Sequence, residues 1–109
     1  MGKFEIKTDK AGKFRFNLKA DNGQVILASQ GYASKPGCDN GIESVRTNSQ
    51  NDSMFDRCTA KDGSPYFCLK ASNGQVIGNS EMYSSASAME NGIASVKKNA
   101  PNASVVDNS

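Results

Sequence analysis

Polar and apolar positions alternate along the N-terminal stretch. Phe4 and Ile6 fall on one side of a strand and Lys3, Glu5 and Lys7 on the other; after the polar turn Asp9-Lys10-Ala11-Gly12-Lys13, Phe14, Phe16, Leu18 and Ala20 alternate with Arg15, Asn17 and Lys19. Successive side chains on a strand point to opposite faces, so each segment predicts a half-buried strand. Asn22-Gly23 comes next. This dipeptide is the strongest short-range hairpin signal and predicts a two-residue type I′ turn that returns the chain through Gln24 to Ala28. In that register Asp21 pairs with Gln24, Ala20 with Val25, Lys19 with Ile26 and Leu18 with Leu27.

The period then lengthens. Ser34 is placed to cap a helix, Pro36 suits its first turn, and Cys38, Ile42 and Val45 form one apolar stripe that Asn48 ends. Beyond a polar connection over residues 49–53, the pattern begins again. A shift of 51 residues superposes Phe4 on Phe55, Phe16 on Phe67, Leu18-Lys19-Ala20 on Leu69-Lys70-Ala71, and Asn22-Gly23-Gln24-Val25-Ile26 on Asn73-Gly74-Gln75-Val76-Ile77. Tyr32 meets Tyr83, and Asn40-Gly41-Ile42 meets Asn91-Gly92-Ile93. About twenty identities in one ungapped register mark an internal duplication, so the two units should share a fold. The second helix repeats the stripe as Met89, Ile93, Val96 and Ala100, and Pro101 stops it. One further shift lays Phe55 on Val106, which makes residues 104–107 the opening strand of a third unit that is not completed.

The repeated unit "aromatic-x-Leu-Lys-Ala-x-Asn-Gly-x-Val-Ile … Ser-x-x-Tyr … Asn-Gly-Ile-x-Ser-Val", spanning Phe16 to Val45 and Phe67 to Val96, resembles the YegP-like family of small bacterial proteins. The resemblance implies tandem β3-αβ repeats that form one antiparallel sheet with exchanged final strands, the helices lying against it. It implies no activity and no catalytic residues. The expected fold is therefore α+β: a single domain over residues 1–109, with two tandem β-β-β-α repeats (3–52 and 54–103), two helices on one face, and a terminal strand near 104–107. Leu27 stands against Gly78 in the shifted register, a departure expected to thin the core of the second hairpin.

Composition narrows the function. The chain has 109 residues, a formal net charge of +2, three cysteines and no histidine. A charge this small does not predict a nucleic-acid partner, which requires clustered lysines and arginines to neutralise phosphates. Three cysteines without a Cys-x-x-Cys pair, in a chain lacking histidine, give neither an even disulfide set nor a zinc pattern. The thiols are expected free, with Cys38 between helix and sheet and Cys68 on a wet strand face. Without histidine, a Ser or Cys nucleophile would need an unusual base, and no Gly-x-Ser-x-Gly elbow is present. No metal, cofactor or catalytic residue is predicted. Two Asn-x-Ser sequences, at Asn51 and Asn102, carry no consequence without a secretion signal. With no apolar segment of bilayer length, the expectation is a cytoplasmic monomer.

These readings favour a non-enzymatic binding or scaffold module with a protein or small-molecule partner; a weak nucleic-acid binder and an unrecognised enzyme are the alternatives. Glycines inside both helices, Gly41 and Gly92, fit close approach of the helix backbone to the sheet, the other reading being a ligand against that bare backbone. The hairpin register above places the candidate binding surface on the sheet face away from the helices. Arg15, Asn17, Lys19 and Ile26 come from the first unit, and Tyr66, Cys68, Lys70 and Ile77 from the second.

Overall fold

Both helices begin as their caps require. In the computed structural model, which describes residues 2–109, Ser34 Oγ accepts a hydrogen bond from the Gly37 N–H at 3.2 Å, and Ser85 Oγ accepts one from the Ala88 N–H at 3.1 Å. The first bond opens α1 (Lys35–Asn48) and the second α2 (Ala86–Asn99). Each cap satisfies an amide that the first turn leaves without an intrahelical partner. The strands are β1 (Lys3–Thr8), β2 (Phe14–Lys19) and β3 (Val25–Ser29) before α1, β4 (Phe55–Thr59), β5 (Pro65–Lys70) and β6 (Val76–Asn79) before α2, and β7 (Ser104–Asp107) after it. Single 3₁₀ turns, Asp52–Met54 and Ala100–Asn102, lead into β4 and β7.

One seven-stranded sheet results, in the order β4-β5-β6-β3-β2-β1-β7. Both helices lie against it, and the stripes Cys38, Ile42 and Val45 of α1 and Met89, Ile93 and Val96 of α2 join a single core with Phe4, Phe16, Leu18, Phe67 and Leu69. The α+β architecture is as expected. The sheet is mixed, however, because β7 runs parallel to β1, Lys3 opposite Ser104 and Ile6 opposite Asp107, whereas the other pairs are antiparallel. The final strand of the second unit thus completes the outer edge of the first. Two side chains of α1 hold it there. Lys35 pairs with Asp107 at 2.5 Å, and Arg46, lying over the Phe4 ring, donates to the carbonyls of Ala100 and Pro101, both at 3.1 Å.

The hairpins correct the expected register. Asn22 does not adopt positive φ; Gly23 does, at 82°, and Gly74 does at 84°. The Ala20 N–H donates to the Gln24 carbonyl and the Gly23 N–H to the Ala20 carbonyl, both at 2.9 Å. The turn is therefore a three-residue loop ending in a left-handed glycine, and not type I′. Ala20 faces Gln24 and Lys19 faces Val25, one step from the expected register; a β-bulge at Ile26 then restores Leu18 to Leu27. The second hairpin repeats both departures, with Lys70 opposite Val76 and Leu69 opposite Gly78. The two shifts cancel, so the core pairing is the expected one while its neighbours are displaced. Ile26 and Ile77, the bulged residues, turn into the core at 7% and 6% exposure. They do not belong to the open face.

The halves meet at β3 and β6, where Ala28 pairs with its own counterpart Asn79 and Ser29 with Gly78. A local two-fold axis passes through this junction. A Cβ on Gly78 would lie 2.5 Å from the Ala28 carbonyl oxygen and 3.3 Å from Leu27 Cγ. Leu27, fully buried, occupies the space that a second large side chain would need. The core is not thinned at Gly78: one leucine serves both halves.

At the far edge, β4 pairs only with β5. Ile6 of β1 is fully buried, but its counterpart on β4 is Arg57, whose guanidinium reaches Glu90 at 2.8 and 3.0 Å and Asp52 at 3.1 and 3.3 Å.

Candidate functional site

The sheet face away from the helices gathers the expected residues into two patches. Arg15, Asn17 and Lys19 lie on β2, Tyr66, Cys68 and Lys70 on β5, and β3 and β6 separate them. Val25 and Val76 stand opposite the lysines where Ile26 and Ile77 were expected. The basic side chains are already partnered. Arg15 Nε meets Asp9 Oδ2 at 2.7 Å, Lys19 Nζ meets Glu5 Oε1 at 3.2 Å, and Lys70 Nζ meets Asp56 Oδ2 at 2.6 Å. Lys19 and then Lys7 hold the Glu5 carboxyl below its ordinary range, and Arg15 does the same for Asp9. These acids supply the counter-charges: Glu5 from an outward position of β1, Asp9 from the turn that follows it, and Asp56 from β4. A phosphate backbone would have to displace them to reach the bases. Beside Arg15 and Asn17 lies a cleft of about 270 Å³, also lined by Glu5, Asp9 and Ala28.

In the second patch, burial, followed by the neighbouring Cys58, pushes the Cys68 thiol up to about 11. The two thiols, in turn, raise the Tyr66 phenol. Cys38 lies fully buried beneath α1, as its place on the helical stripe predicts.

A second site lies on the other side of the sheet, where the hairpin of one half meets the helix of the other. Tyr32 stacks on Phe16 with ring centroids 6.2 Å apart, and its hydroxyl lies over the α1 backbone. A Cβ on Gly41 would come within 2.3 Å of that oxygen and 3.1 Å of Phe16 Cε2, so a larger residue there would have to push the tyrosine from its place. Tyr83, Phe67 and Gly92 repeat the arrangement in α2. The close approach expected of these helix glycines is real, but it is made by a tyrosine end. Burial raises both phenols, which keep their protons as hydrogen-bond donors.

Between this end of α1 and the hairpin tip of β5 and β6 is a groove of about 380 Å³. Gln30, Tyr32, Asn40, Gly41 and Ser44 line one wall, and Asn73, Gln75, Val76 and Ile77 the other. No lining residue is charged. Its counterpart across the two-fold axis is divided into hollows of about 370 and 380 Å³, one holding Gln24, Val25, Ile26 and Tyr83, the other Asn22, Asn91 and Ser95. There Glu81 replaces Gln30, and Lys98 enters the lining. The two sites share a frame but differ in charge. In the sequence Asn22, Gln24, Asn73 and Gln75 read as turn residues alone, although their recurrence together with Tyr32, Tyr83, Asn40 and Asn91 is the available signal.

The surface ion pairs set the acid limit of the fold. Arg57 and then Lys97 hold the Asp52 carboxyl down to about 2, and Lys35 holds Asp107 well below its usual range. A carboxyl depressed in the folded chain contributes stability above its unfolded pKa, near 4, and loses that contribution as pH falls through the folded value. The melting temperature should therefore stay level down to about pH 5 and drop between about pH 4 and 2. Thermal unfolding followed by circular dichroism across that range checks this, and a level Tm down to pH 2 would contradict it.

Among the described residues, no helix is long and apolar enough to cross a membrane. The family described as "Domain of unknown function (DUF1508)" matches residues 9–56 and 60–107. A UPF0339 protein encoded in the ptx operon 5′ region of Stutzerimonas stutzeri is 52% identical over 97% of this chain and 96% of its own length. The UPF0339 protein YegP of Yersinia pestis is 54% identical over 91% of this chain and 88% of its own. Among solved structures, YegP of Escherichia coli, in solution, superposes with a TM-score of 0.94 at 48% identity, covering 98% of this chain and 92% of that one.

Proposed function

The chain belongs to the DUF1508 family, with both copies of the family unit present, and on that premise we propose a non-catalytic binding module. Its site is the groove between α1 and the hairpin of β5 and β6, and its ligand is an uncharged, hydrogen-bonding segment of a partner protein. The observation that carries this reading is the repetition of the rim. Gln24 and Gln75, and Asn40 and Asn91, are identical between repeats yet exposed, so packing does not demand them. Side-chain amides donate and accept at once, as a peptide backbone does, and an uncharged wall imposes no desolvation of ions on a neutral segment. The chain has no histidine, and neither lysine nor carboxylate lines this groove, which supports binding without catalysis. The reading goes with a monomer working in the cytoplasm.

Affinity capture from native cell extract tests it with three baits. They are the unaltered protein, a groove variant carrying Asn40→Lys and Gln75→Lys, and an open-face variant carrying Arg15→Ala and Tyr66→Ser. All four positions are at least partly exposed, so all baits should fold. The groove variant alone should lose the specifically retained protein, by about tenfold for each 1.4 kcal/mol removed. Loss on the open-face bait with retention on the groove bait would move the site to the other side of the sheet.

A further inference from the structure

On its open face the second unit departs from the first in one concerted way. Where β1 and β2 carry Lys7 and Asn17, β4 and β5 carry Cys58 and Cys68. Asp56 pairs with Cys68 and Cys58 with Tyr66, which puts the two cysteines at diagonal positions of adjacent antiparallel strands, on one face. Both are partly buried and carry free thiols. We propose that Cys58 and Cys68 form a two-sulfur site for one soft monovalent cation, copper(I).

Donor number and distance select this ion class. Among the described residues no three His, Cys, Asp or Glu side chains converge, so a closed tetrahedral zinc site is not available. Magnesium and calcium require a shell of oxygen ligands. Thiolates favour copper(I), and a linear ion needs only two of them. Diagonal neighbours on antiparallel strands have α-carbons about 7–8 Å apart and β-carbons somewhat closer. A disulfide would need the sulfurs at about 2.05 Å and the α-carbons within about 6.8 Å, drawing the strands together. A metal bridge holds its sulfurs farther apart than a disulfide does, up to about 4.6 Å at the roughly 2.3 Å bond length of zinc thiolates, a better match to the diagonal. Partial burial limits the access of competing water. Coordination transfers no electrons: copper enters and leaves as copper(I), each thiol releases its proton to solvent, and the bis-thiolate complex carries one net negative charge. Lys70, on the same face and paired with Asp56, lies beside that charge.

The test is an anaerobic titration of the reduced full-length protein with copper(I) in the presence of a competing chromogenic chelator. Stoichiometry is read from the chelator and coordination from near-ultraviolet thiolate-to-copper absorption. One copper(I) per chain is expected, with affinity lost by about a hundredfold or more in Cys58→Ser and in Cys68→Ser, and kept in Cys38→Ala. Circular dichroism on each variant confirms that it is folded. A chain also carrying Lys7→Cys and Asn17→Cys should take up two ions, because those positions repeat the diagonal in the first unit. The proposal falls if either single serine variant keeps its affinity within threefold, if binding follows Cys38, or if the site count stays at one in the Lys7→Cys, Asn17→Cys chain.

Discussion

Gly78→Leu, which makes the second hairpin match the first at Leu27, is expected to destabilise the protein by about 2–3 kcal/mol, the upper part of the range for overpacking a filled core. In a protein of this size that lowers the melting temperature by roughly 10 °C or more. Symmetry of sequence is unfavourable here because the two-fold axis passes through the junction. The first atom of the new side chain would lie 2.5 Å from the Ala28 carbonyl oxygen, a backbone atom held by the β3–β6 ladder, and the rest would meet Leu27. Adding Leu27→Gly to Gly78→Leu should recover part of the loss, since the contact between the two leucines disappears, and a double-mutant cycle measures that coupling. A Gly78→Leu protein that melts with the parent would show that the axis has room for two.

Phe16→Ala is expected to cost about 3–5 kcal/mol, more than its repeat counterpart Phe67→Ala. Each ring is the centre of a similar aromatic stack. Phe4 meets Phe16 edge-on and Phe55 meets Phe67 likewise, both at 5.7 Å, and each stacks on its tyrosine at 6.2 Å. The surroundings differ at one place. β7 covers the edge beyond Phe4, which is fully buried, whereas Phe55 lies next to an open edge and keeps 4% exposure. A cavity under the covered edge collapses less, and the cost of truncation rises with the volume left behind. Chemical denaturation of both variants checks the order. Equal losses would mean that β7 adds no rigidity to the first half.

The elements themselves were legible in the chain, because each is specified locally. Ser34 announces the first helix, the repeated stripe of Met89, Ile93 and Val96 the second, and the period of two in Phe14 to Lys19 announces a strand and its faces. Asn22-Gly23 correctly announced a turn but not its length. A left-handed glycine closes two-residue and three-residue loops alike, and the bulge at Ile26 that compensates for the longer loop leaves no mark in an apolar run. For that reason Leu18 was paired correctly while Ile26 and Ile77 were placed on the wrong face. The groove was hidden for another reason: its walls come from different halves, and nothing near Asn73 or Gln75 signals that α1 lies opposite. The two-fold arrangement that brings them together is a property of the duplication as a whole. Gly78 belongs to the same class of feature, since its role depends on a residue 51 positions earlier in the chain.

The replacement of Ile6 by Arg57 at the corresponding place on β4 bears on how copies of the chain behave when crowded. An unpaired strand is a template for another, and repetition of that contact builds fibrils. An isoleucine at this place would extend an apolar margin along the open edge. The guanidinium, anchored by Glu90 and Asp52, instead places a solvated charge where a stacked sheet would need a dry surface. The sheet keeps two edge strands, β4 and β7, and at β4 the second copy of the unit carries a built-in resistance to fibre growth.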